Sequence, residues 1–172
     1  MMAMLAFPLA KESRPRLAAV EKRLGGIITR LGTREAVEDE RQLGTTCIDI
    51  GGGTTSLAIF CDGELVHTDV IPLGGGHMTN DIARGLSTPV ESAERMKALF
   101  GCVIPSPSDD SEMIAVPLIG EDKEGAATQV PRSVLVGIVR PRAEEIMELV
   151  RDRLTASGFD KAIGQRVVLT GG

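Results

Sequence analysis

The sequence predicts an α/β fold, and three observations carry the prediction. Cys47-Ile48-Asp49-Ile50 and Leu57-Ala58-Ile59-Phe60 are apolar runs separated by Gly51-Gly52-Gly53-Thr54-Thr55-Ser56, the pattern of two strands joined by a glycine turn. A third run, Leu65 to Ile71, follows an Asp62-Gly63 turn signal, so the three read as an antiparallel meander. Farther on, apolar residues recur at helical spacing around Ala93, Met96 and Leu99 and around Ile146, Val150 and Leu154, before Val167 to Thr170 returns to strand.

At 172 residues the chain is long enough for one ordinary domain or two small ones, burying roughly 70% of its unfolded surface. Hydrophobic residues at 42% and charged residues at 25% give the balance of a globular chain rather than a disordered or membrane-spanning one. The net charge of -5 argues against an extended nucleic-acid surface, and without Trp or Tyr the aromatic platform for single strands is missing. Cys47, Cys61 and Cys102 form no CxxC pair, and only His67 and His77 are there to join them, so no zinc site is legible and a reducing cytosol is the expectation.

Taken in order, Met1 to Leu9 is apolar but too short to span a membrane, and no basic residue precedes it as in a secretory signal. Lys11 to Arg34 is basic, with Leu17, Val20, Leu24, Ile27, Ile28 and Leu31 at helical spacing, and predicts an amphipathic helix interrupted by Gly25-Gly26. Glu35 to Glu40 is acidic. After the meander, Pro72-Leu73-Gly74-Gly75-Gly76 is a second glycine run opening a short helix through His77 to Leu86; it reads as a tight corner, or else as an anion loop at a helix N-terminus. Thr88, Pro89 and Glu91 fit the N-cap, first turn and capping box of the next helix, on which Glu94 and Lys97 are neighbours. Pro105 to Asp110 reads as a loop, Met113 to Ile119 as an edge strand and Gly120 to Ala126 as a charged turn. Ser133 to Val139 reads as a buried strand, and Arg140-Pro141-Arg142 as the entrance to a helix that stops at Gly158.

The first glycine run is where chemistry is expected. Successive glycines permit positive φ and bring bare N–H donors up to a ligand, as in phosphate loops. Asp49 beside such a loop would repel bare phosphate but suits a hydrated Mg²⁺ bridging to it, since Mg²⁺ keeps its waters and takes few protein ligands. Thr54 and Thr55 add hydroxyls. A Rossmann fingerprint is excluded, because Ser56 stands where the third glycine belongs and a strand follows; no GK[ST] occurs, so it is no Walker A loop.

Three motifs in one order, Asp49-Ile-Gly-Gly-Gly-Thr-Thr55, Glu94-Arg-Met-Lys97 and Leu169-Thr-Gly-Gly172, resemble the second half of the actin-like ATPases, the superfamily of actin, Hsp70 and hexokinase. Within it, Glu38-Asp-Glu-Arg-Gln-Leu-Gly44, His77-Met-Thr-Asn-Asp-Ile-Ala83 and Arg140-Pro-Arg-Ala-Glu-Glu-Ile146 are similar to the FtsA family of bacterial cell-division proteins, over roughly Val37 to Gly172. The resemblance implies an actin-like (ribonuclease H-like) lobe with a mixed sheet and an inserted smaller α/β subdomain. Residues 35–100 would form the first part of the lobe, 101–158 the insertion and 159–172 the terminal strand, with 1–34 unassigned.

It also implies ATP and Mg²⁺: Asp49 holding the metal through water, Gly51, Gly52, Gly53, Thr54 and Thr55 the phosphates, Glu94 and Lys97 the sugar, and Gly171 with Gly172 the base. No motif places a catalytic base, so none is assigned. Family members link the FtsZ ring to the cytoplasmic face of the inner membrane at the division site and self-associate as protofilaments. The acidic tail of FtsZ would meet Arg140 and Arg142, with Arg132 a weaker candidate, because forked cations at a helix entrance suit carboxylates. The superfamily's first phosphate loop, the FtsA-specific subdomain of the first half and the C-terminal membrane helix find no counterpart, so a fragment carrying one lobe of a two-lobed clamp is expected. The alternatives are another ATPase of the superfamily, or a peptide-binding module without nucleotide.

Overall fold

A computed structural model describes residues 44–62, 64–119, 127–159 and 166–172. The expected helix within 1–34, the acidic run 35–40 and the turn 120–126 lie outside them. The strands β1 (Thr45–Ile50), β2 (Thr55–Cys61) and β3 (Glu64–Ile71) form the expected antiparallel meander. The helices α1 (Gly75–Gly85) and α2 (Val90–Phe100) follow, then a 3-10 turn (Pro107–Asp110), β4 (Met113–Pro117), β5 (Ala127–Pro131), the long helix α3 (Arg132–Ser157) and β6 (Arg166–Gly171). β6 returns parallel to β1, which makes a mixed sheet of order β3-β2-β1-β6; β4 and β5 pair separately as an antiparallel ribbon.

Alternation along β1 sends Ile48 to one face of the sheet and Cys47 to the other. On the first face Ile48, Leu57 and Ile71 pack against Ile146 and Val150 of α3. On the second, Cys47, Ala58 and Phe60 cluster with Leu65 and Val168. A separate core joins Ile82 and Leu86 with Ala93 and Met96 of α2, Ile114 and Val116 of β4, and Leu135 and Val139 of α3. α3 therefore serves two cores, its first half the ribbon and its second half the sheet. Segment 101–158 contributes to both, while α2 shares the core of the ribbon.

Two sequence expectations give way here. Ser133 to Val139 is no strand but the opening turns of α3, which starts after Pro131 and runs through Pro141 to the left-handed Gly158. Its β-branched run imitates a buried strand, but Leu135, Val136 and Val139 fall on one helical stripe. Pro141 is thus interior, and lacking an N–H it cannot bond the Gly137 carbonyl. Thr88 does not cap α2 with its side chain: the helix begins at Val90, and the Thr88 hydroxyl donates to Pro117 O at 2.6 Å, tying the α1–α2 turn to β4.

Candidate functional site

The hairpin between β1 and β2 is closed by Gly51 N donating to Thr54 O at 2.8 Å, which leaves Gly52 and Gly53 exposed at its tip. Neither occupies the left-handed region, so the positive φ expected of this run is not used. Nor is space short among the described residues, since a Cβ on either would meet nothing of them within 4 Å.

The second glycine run packs against the first. Gly75 N donates to Gly51 O at 2.9 Å and Gly76 N to Gly52 O at 2.7 Å, so these amides of the first turn of α1 are spent on the hairpin. This is the corner reading rather than the anion-loop one. Here glycine is obligatory, because a Cβ on Gly74 would lie 2.2 Å from Gly51 O. The buried Thr55 hydroxyl donates to Leu73 O at 2.8 Å, and the Gly74 amide to His77 Nδ1 at 3.1 Å, which fasten the same corner.

Parallel pairing of β6 with β1 sets Gly171 opposite Ile50, one residue before the hairpin turn. Gly171 has φ +127° and a Cβ there would stand 2.1 Å from Ile50 O, so only glycine fits. Gly172 N donates back to Ile50 O at 3.3 Å. Asp49, buried near the end of β1, lies in register with Ser56 and Thr170. Among the described residues no three His, Cys, Asp or Glu side chains are grouped so that they could hold a metal ion by themselves. A single carboxylate next to a glycine turn fits Mg²⁺, which retains water and binds phosphate oxygens, better than a metal that needs a full protein cage.

On α2, Lys97 Nζ donates to Glu94 Oε2 at 2.7 Å, to Thr79 Oγ1 at 2.8 Å and to Gly75 O at 3.0 Å. The Thr79 hydroxyl also bonds Glu94 Oε2. The Lys97 hydrogen bond, then that of Thr79, hold the Glu94 carboxyl below its ordinary value against a smaller opposing effect of burial. Sequence spacing brought out Glu94 and Lys97; Thr79, in the middle of α1, carries no signal of its own. Gly51–Gly53, the Gly171-Gly172 pair, and through Gly75 the Glu94–Lys97 pair thus gather at one end of the sheet.

The arginines lie elsewhere. Since α3 begins at Arg132, Arg140 and Arg142 are not at a helix entrance, and the dipole offers no reinforcement there. Arg142 makes a forked pair with Asp81 of α1, Nε to Oδ2 at 2.7 Å and Nη2 to Oδ1 at 3.1 Å, and also meets Glu145. Arg140 pairs with Glu144 at 2.7 Å. Arg132, which does open the helix, holds Phe100 O, Glu112 and Asp109.

The mixed sheet packed on helices is that of an actin-like fold. Among solved structures, MreB5 of Spiroplasma citri, crystallised with ADP, superposes with a TM-score of 0.62 at 22% identity, over 96% of this chain and 55% of its own. The chain belongs to the cell division protein FtsA family, whose model matches residues 46–166. It is 50% identical over 141 residues to cell division protein FtsA of Rhizobium meliloti, covering 82% of this chain and 32% of the relative. The protein of the same description from Pseudomonas aeruginosa is 42% identical over 135 residues, 78% of this chain and 32% of the relative. The chain therefore spans about a third of the length of these curated relatives.

Proposed function

We propose that this chain holds ATP with Mg²⁺ at the junction of its glycine segments, as one side of an FtsA-type nucleotide site. The observation that carries the proposal is the Gly52-Gly53 tip. Among the described residues nothing crowds a side chain at either position and neither adopts a left-handed backbone, so no described part of the fold asks for glycine there. A phosphate chain approaching bare N–H groups would account for glycine at such an open tip. Gly51 to Thr54 would face the phosphates, Asp49 would hold Mg²⁺ through water, Glu94 would accept the ribose hydroxyls, and Gly171 with Gly172 would lie under the base. Bound there, Mg²⁺ supplies positive charge to the phosphate oxygens. Thr55 and Lys97 would serve through the neighbours they already bond. The MreB5 relative with ADP supports the choice of ligand class.

The doubly substituted Gly52→Ala/Gly53→Ala chain should unfold within about 0.5 kcal/mol of the parent. Its affinity for Mg·ATP by titration calorimetry should fall at least about tenfold as methyl groups displace the phosphates. An affinity equal to the parent's would remove the hairpin from the site.

In the full-length protein this site would belong to a cell-division component that links the FtsZ ring to the membrane. An acidic FtsZ tail arriving at Arg142 would have to compete with Asp81 and Glu145. Arg142→Glu should therefore weaken tail-peptide binding in fluorescence anisotropy, and a variant that binds as the parent does would exclude this contact.

A further inference from the structure

We propose that Lys97 is a positioning residue that braces the hairpin from behind and donates no hydrogen bond to the nucleotide. The inference rests on the nucleotide reading above for its ligand and on geometry alone for the brace. An ammonium has three protons. Those of Lys97 go to Gly75 O, Thr79 Oγ1 and Glu94 Oε2, all within 3.0 Å, so no donor is left over. The Lys97 side chain is only 21% exposed whereas that of Glu94 is 55% exposed. Among the described residues Glu94 Oε1 has no partner, so Glu94 can accept from a sugar hydroxyl while Oε2 keeps hold of Lys97.

The brace leads to the phosphate side through the backbone. Lys97 holds the carbonyl of Gly75, the amide of Gly75 holds Gly51 O, and the next amide, Gly76, holds Gly52 O. Thr79, itself 3% exposed, accepts from Lys97 and gives its one proton to Glu94 Oε2, so the three side chains hold one another in place. Releasing Lys97 thus loosens the corner that fixes the hairpin, although its ammonium lies on α2. The role explains why a lysine stands here: a compact cation with three rotatable donors satisfies three converging oxygens, which a planar guanidinium does not.

Two readouts on the whole chain test this, with Lys97→Met as the first variant. Amide hydrogen exchange of Gly75 and Gly76 should accelerate about tenfold when the charged hydrogen bonds are lost, with Ile48 and Leu57 in the sheet unchanged. Mg·ATP and Mg·tripolyphosphate, which lacks sugar and base, should both weaken by the same factor. Unchanged exchange at Gly75 and Gly76, or a loss of affinity for ATP alone, overturns the proposal, the latter because it places Lys97 on the sugar. If Lys97→Met accelerates exchange throughout the sheet, Thr79→Val, which removes one acceptor at nearly constant shape, is read by the same criteria. A parent chain that binds neither ligand defeats the nucleotide reading, and the exchange arm then decides the brace by itself.

Discussion

Glu94 carries a carboxyl that Lys97 and Thr79 hold below its ordinary 4.5. A carboxylate whose value is depressed by folding favours the fold at any pH above the ordinary value, and that contribution disappears as pH falls through the depressed one. The corner built on Gly75 should therefore loosen in acid, below about pH 4.5, and not in the neutral range. Side-chain NMR titration checks this: Lys97→Met should bring the Glu94 midpoint back toward the ordinary value, and an unmoved midpoint would mean that Lys97 is not its main partner. At this scale the sequence was informative where the chemistry is local. Glu94 and Lys97 stand three apart on one helix, and Asp49 adjoins its glycines. It brought out Thr79 and Asp81 only as members of the His77 to Ala83 motif and not through their partners, which come from other elements; Asp81 meets Arg142 across 61 positions.

Elements with a clean period were legible: the alternation of β1 and β2, the Leu65 to Ile71 run, and the apolar run of β6. β5 escaped notice because Ala127–Pro131 is short, polar and closed by proline. The first half of α3 was misread because a β-branched run ahead of a proline imitates a strand followed by a helix start. The two readings predict opposite signs for Pro141→Ala. At a helix entrance proline is favourable and its loss destabilises. In the interior, alanine restores the amide that the Gly137 carbonyl lacks, and against it stands only the added freedom of the unfolded chain. Pro141→Ala should therefore raise stability by about 1–2 kcal/mol in urea unfolding. A loss of stability would argue for a break in α3 at Arg140.

Over the whole molecule, α3 is the element that holds the parts together. Leu135 and Val139 lie in the core of the ribbon, Ile146 and Val150 under the sheet, and Arg142 between them fastens α1. α1 in turn carries the glycine corner, so the hairpin is backed by both cores. The actin-like fold was legible in three short motifs and the family in three more; of their glycines, Gly171 answers to a close backbone approach, whereas a Cβ on Gly52, Gly53 or Gly172 would meet nothing within 4 Å among the described residues. The central claim is that the glycines of the hairpin and of the β6 end form one nucleotide site. Its most direct test is a titration of the chain with Mg·ATP, followed through the glycine amide resonances. The account predicts that Gly52, Gly53, Gly171 and Gly172 shift together on one binding curve while Gly101, Gly137 and Gly158 stay in place. Hairpin and β6 glycines that do not move, or that move on different curves, would contradict it.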